Sequence, residues 1–88
     1  MEFRWNEWNL EHATQHGVRV DEIESLIEAA RPPFPEHRGD GKWLVQGRGW
    51  GGRYVQAIYI IDDDGPFFVL HARTLSDQEI RRYRRRLR

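Results

Sequence analysis

The chain has 88 residues, no cysteine, and 14 basic against 14 acidic side chains, for a formal net charge of +0. That length suits a single domain over residues 1–88 with one modest core, and the missing thiols exclude disulfide staples, thiolate metal sites and cysteine nucleophiles. No apolar run nears the roughly 20 residues that span a bilayer, and the opening MEFRWNEWNLEHA lacks a signal-peptide pattern, so a cytoplasmic protein with no membrane partner is expected.

The opening EFRW alternates polar and apolar residues as a short half-buried strand does. Asn6 can then cap a helix running to about His16, with Gly17 placed for the left-handed position that ends it. Val20, Ile23, Leu26, Ile27 and Ala30 fall at helical spacing, Asp21 with Glu24 has the form of a capping box, and Arg31-Pro32-Pro33 stops the run. PPFPEHRGDG, residues 32–41, reads as the one long loop.

Three strand-like runs follow, KWLVQGR, RYVQAIYII and PFFVLHAR, separated by GWGG and DDDG turns that suit antiparallel hairpins. Ser76 with Glu79 forms another capping box, and Leu75 against Ile80 a hydrophobic staple, so a last helix begins near Ser76. The expected class is therefore α+β in the order β-α-α-β-β-β-α, a twisted, mainly antiparallel sheet packed by two N-terminal helices and one C-terminal helix.

The neutral total conceals a segregation of charge. Residues 1–30 carry two Arg against seven acids, and residues 65–88 carry seven Arg against two. Ile80, Tyr83 and Leu87 thread the arginine-rich end at helical spacing, with Arg81, Arg85 and Arg88 on one flank and Arg82 and Arg86 on the other. Such a surface suits phosphate backbones or an acidic protein, and arginine, thirteen against one lysine here, offers the planar fork those anions favour.

In this order and spacing the chain resembles the BrnT family of bacterial type II toxins. The likeness rests on FRW at 3–5, HGV at 16–18, GR at 47–48 and AR at 72–73 followed by EIRRY at 79–83, and it spans nearly the whole chain. Gln15 and Thr74 stand where members often carry basic residues. The resemblance implies a RelE-like fold and a toxin ribonuclease that cleaves mRNA and so inhibits translation. It also implies a small DNA-binding antitoxin of the ribbon-helix-helix type, which caps the toxin and can join it in a higher-order complex.

Metal-independent RNA cleavage needs an in-line 2′-hydroxyl, a base, cations around the transition state and an acid for the departing oxygen. His71 and Arg73 share one face of their strand, His71 as acid or base and Arg73 as a phosphate clamp, and Arg48 can join them from a neighbouring strand. Tyr83 is the fourth catalytic candidate, with core packing as the plainer account of it. Arg73 has its own plainer account, a pair with Asp77 or Glu79. Arg53, Arg81, Arg82, Arg85 and Arg86 are the candidate RNA-binding residues.

No cofactor or metal is expected. His12 and His16 sit one helical turn apart, but HATQH lacks the glutamate of a zinc-protease motif. GRGWGG is a hairpin turn with Trp50 at its tip, Asp62-Asp63-Asp64 a solvated turn, and Trp5, Trp8 and Trp43 are core candidates. The alternative to an enzyme is a noncatalytic domain whose basic helix binds RNA or an antitoxin.

Overall fold

A computed structural model describes residues 1–87. Helices α1 (Glu7–Thr14) and α2 (Val20–Glu28) precede strands β1 (Glu36–His37), β2 (Trp43–Arg48), β3 (Tyr54–Ile61) and β4 (Phe67–Thr74), and helix α3 (Asp77–Arg86) closes the order. The strands form one antiparallel sheet in the sequence β1-β2-β3-β4. Among the described residues, no helix is long and apolar enough to cross a membrane.

The three strand-like runs pair consecutively, as their hairpin turns require. Two other strand assignments change. EFRW makes only an isolated parallel bridge, Phe3 beside Phe67, because Asn6 immediately starts α1 with a reciprocal capping box to Asn9. Inside the expected loop, Glu36 and His37 instead pair with Leu44 and Trp43. The Gly and Pro that mark this segment as a loop lie on either side of that two-residue strand. Arg19, whose side chain makes no capping hydrogen bond, stands at the N-cap of α2, so the Asp21/Glu24 box does not form.

Gly17 takes a left-handed φ of 86° just beyond α1. Ile23, Leu26 and Ile27 then press onto a sheet face built from Val45, Val55, Ala57, Tyr59, Val69 and Ala72, all buried. Val69 and Ala72 are three apart, yet both face this core because the β3–β4 register shifts between Ile58 and Tyr59 and leaves Leu70 as the extra residue. Trp5 and Trp43 pack on the core, whereas Trp8 is exposed and stacks on His12 at 4.0 Å.

One buried charge locks α2 to the β2–β3 turn. Glu22, 1% exposed, accepts hydrogen bonds from the Trp50 amide (2.9 Å) and from Arg53 (2.6 Å), which also donates to the Gly17 carbonyl. Burial pushes the Glu22 pKa up, but those bonds together outweigh it and the net shift is downward. The carboxylate lies where a Cβ on Gly49 would sit, and that Cβ would also come within 2.8 Å of Val55. Glu22→Ala should cost about 2–3 kcal/mol, less than a fully buried pair because Arg53 keeps partial access to water; denaturant unfolding checks it, and Gly49→Ala should also destabilise.

Candidate active site

The second face of the sheet carries the polar chemistry. Leu44 with Ile58, Gln46 with Gln56 and Arg48 with Tyr54 are cross-strand partners, and Ile58 and Gln56 pair onward with His71 and Arg73. Directly paired residues point to the same side. Thus His71 and Arg73 share a face as expected, and the register puts Arg48 on that face as well.

Helix α3 crosses this face with no fully buried residue. Ile80 and Tyr83 are half-buried, Leu87 is 47% exposed, and the helix is held mainly by polar ties. At its start Ser76 and Glu79 form the expected capping box, and Leu75 is buried. Glu79 also receives both terminal nitrogens of Arg73 at 2.7 and 2.8 Å. Those bonds, with help from the Ser76 amide, lower the Glu79 pKa to about 2. Near the other end Arg86 pairs with Glu36 and lies over the Phe34 ring at 5.0 Å. Tyr83 stacks on that same ring at 6.0 Å.

Between these anchors lies a group centred on Tyr54. Its hydroxyl accepts from Arg48 at 2.9 Å and from Arg84 at 3.1 and 3.3 Å. Both guanidiniums also approach its ring, and neither has a carboxylate partner among the described residues. Two like charges around one neutral oxygen repel each other, and an anion placed there would relieve them. The Arg48 bond, then the Arg84 bond, lower the Tyr54 pKa.

The Tyr83 ring meets Tyr54 edge-on at 5.6 Å, and burial first, then Tyr54, pushes the Tyr83 pKa up. A cleft of about 310 Å3 opens beside this tyrosine, lined in part by Arg31, Gln46, Arg48 and Leu87. Two neighbouring tyrosines thus have proton affinities driven in opposite directions.

Of the catalytic candidates, Arg48 and Tyr83 meet here. His71 does not, because its partner Ile58 lies four residues along β3 from Tyr54, about 13 Å at the strand rise. It packs edge-on against His16 at 5.5 Å, and burial, then His16 and Arg73, lower its pKa. Arg73 is taken by Glu79, its plainer account. Arg53 serves Glu22 beside α2, and Arg86 serves Glu36.

Arg81, Arg82 and Arg85 are exposed, while Arg88 lies outside the described residues. Tyr54 and Arg84 escaped the sequence reading. The GWGG turn was the available signal, since a hairpin closed around it sets Arg48 opposite Tyr54.

No family model matches the chain, and neither a curated protein nor a solved structure matches it.

The Arg73–Glu79 tie sets a pH limit on α3. A carboxylate whose folded pKa is depressed contributes its stability fully above the ordinary value of 4.5 and loses it as pH falls toward about 2. The Glu79 carboxyl resonance should therefore titrate near 2 in the folded protein and return toward 4.5 in Arg73→Ala. An unshifted midpoint in that variant would assign the depression to the helix cap instead.

Proposed function

We propose that the protein is a metal-independent endoribonuclease acting at the Tyr54–Tyr83 pair, and that it is the toxin of a type II toxin–antitoxin system, with a RelE-like fold. The observation that carries the enzymatic reading is the Tyr54 hydroxyl held by Arg48 and Arg84, next to a tyrosine of raised pKa. Titratable neighbours driven apart in pKa are matched to the two halves of acid–base catalysis. The BrnT-like motifs, with the observed run of two helices, an antiparallel sheet and a closing helix, support the toxin reading.

In this mechanism Arg48 and Arg84 bind the scissile phosphate and balance the charge that builds on its oxygens. The phenolate of Tyr54, a form that the Arg48 and Arg84 hydrogen bonds favour, takes the proton of the 2′-hydroxyl. The 2′-oxygen attacks phosphorus in line, a 2′,3′-cyclic phosphate forms, and the P–O5′ bond breaks. Tyr83, which keeps its proton, delivers it to the departing 5′-oxygen. Exchange with solvent then resets both phenols. Exposed Arg81, Arg82 and Arg85 extend the cationic surface along which RNA lies, and an acidic antitoxin segment covers the same helix in the repressed state.

Tyr54→Phe should lower the single-turnover cleavage rate by about 10²–10⁴-fold while leaving the folded chain intact. The wild-type rate should rise with pH and level off below the ordinary tyrosine range, and Arg84→Ala should move that plateau to higher pH. Induced expression should arrest growth, with Tyr54→Phe relieving it. Undiminished cleavage by folded Tyr54→Phe overturns the mechanism. RNA binding without cleavage by the wild type would favour the noncatalytic reading.

A further inference from the structure

A second cavity, of about 430 Å3, lies on the other flank of α3, where Glu79, Arg82 and Arg86 form its wall at i, i+3 and i+7. Its floor is Leu44 and Ile58, followed by Gln46 and Gln56. Lys42 and Arg38 stand at the rim, and neither Lys42 nor Arg82 has an acidic partner among the described residues. Cationic rim, apolar floor and amide edge are three different chemistries in one cavity of small-ligand size.

The amides are held in a defined arrangement. Gln46 Nε2 donates to Gln56 Oε1 at 3.1 Å, which leaves the Gln46 carbonyl oxygen as a free acceptor and the Gln56 amide nitrogen as a free donor at the two ends of the pair. Turning both amides over together exchanges their roles and preserves the pair. Gln56 is only 7% exposed, yet no buried side-chain nitrogen or oxygen among the described residues lacks a partner. Its amide nitrogen, which donates to no other described group, is therefore reached from the cavity.

A donor and an acceptor above an apolar surface match the polar edge and the face of a nucleobase, and the rim matches its phosphate. We propose that this cavity binds one nucleotide, with its base against Leu44 and Ile58, the base edge on Gln46 and Gln56, and its phosphate between Lys42 and Arg82. The site adjoins the cleft beside Tyr83, since Gln46 lines both, but Arg48, Tyr54, Tyr83 and Arg84 do not line it. The nucleotide can arrive free or as a unit of an RNA strand that crosses α3.

Isothermal titration of the whole chain with adenosine monophosphate, uridine monophosphate, inorganic phosphate and a single-stranded 2′-O-methyl RNA hexanucleotide, which lacks the attacking hydroxyl, tests this. At least one nucleotide probe, mononucleotide or hexanucleotide, should bind tenfold or more tightly than phosphate. Gln56→Leu should remove that advantage and leave phosphate affinity unchanged, whereas Lys42→Ala/Arg82→Ala should weaken the probe that shows the advantage tenfold or more. Gln46→Ala, at a half-buried position, supplies the same loss if Gln56→Leu fails to fold.

A Gln56-dependent gain with a mononucleotide identifies a free ligand, and a gain confined to the hexanucleotide identifies a strand site. Nucleotide binding no tighter than phosphate, or an advantage that survives in both folded glutamine variants, overturns the proposal. Binding is read without cleavage, so failure of the ribonuclease mechanism leaves this result interpretable.

Discussion

Glu79 sets the geometry on which the proposed chemistry depends. One carboxylate closes the first turn of α3 through the Ser76 amide and holds both arms of Arg73 from β4. The helix buries no residue completely, so hydrophobic area alone does not fix its path. Its position follows from this tie at one end, the Arg86–Glu36 pair at the other, and the Tyr83 ring between them. That path brings Tyr83 and Arg84 to Tyr54, with one cavity over the polar face and a cleft beside Tyr83 toward the end of α2.

Arginine is plentiful in this chain, and its partners decide what each copy does. Arg53, Arg73 and Arg86 each meet a carboxylate and serve the architecture. Arg48 and Arg84 meet only a phenol, and Arg82 meets no acid among the described residues, so their charge is available to a ligand. A formally neutral molecule thereby presents a cationic surface. The segregation of acids toward residues 1–30 leaves few carboxylates to neutralise α3.

Much of the fold was legible because it rests on local rules. The Asn6 and Ser76 caps, the positive φ of Gly17 and the three antiparallel strands follow from short-range signals. The β1 pairing was not, since two residues between turns carry no periodicity and gain their partners only when β2 is in place. The catalytic set was legible in part. Strand alternation puts His71 and Arg73 on one face, but whether Arg48 joins them, and how far each lies from Tyr54, depends on register, which separates His71 from Tyr54. Arg84 lies within the arginine run, and nothing in the run distinguishes it until α3 is docked.

The chemistry of the cleaved ends is the most direct test of the account, because only attack by the neighbouring 2′-oxygen leaves a cyclic phosphate. An RNA oligonucleotide incubated with the protein in excess chelator should yield 2′,3′-cyclic phosphate and 5′-hydroxyl termini, and a single 2′-deoxy substitution at the cleaved nucleotide should abolish the reaction. Products bearing 5′-phosphate and 3′-hydroxyl ends, or cleavage that persists without the 2′-hydroxyl, would contradict a mechanism built on Tyr54 and Tyr83.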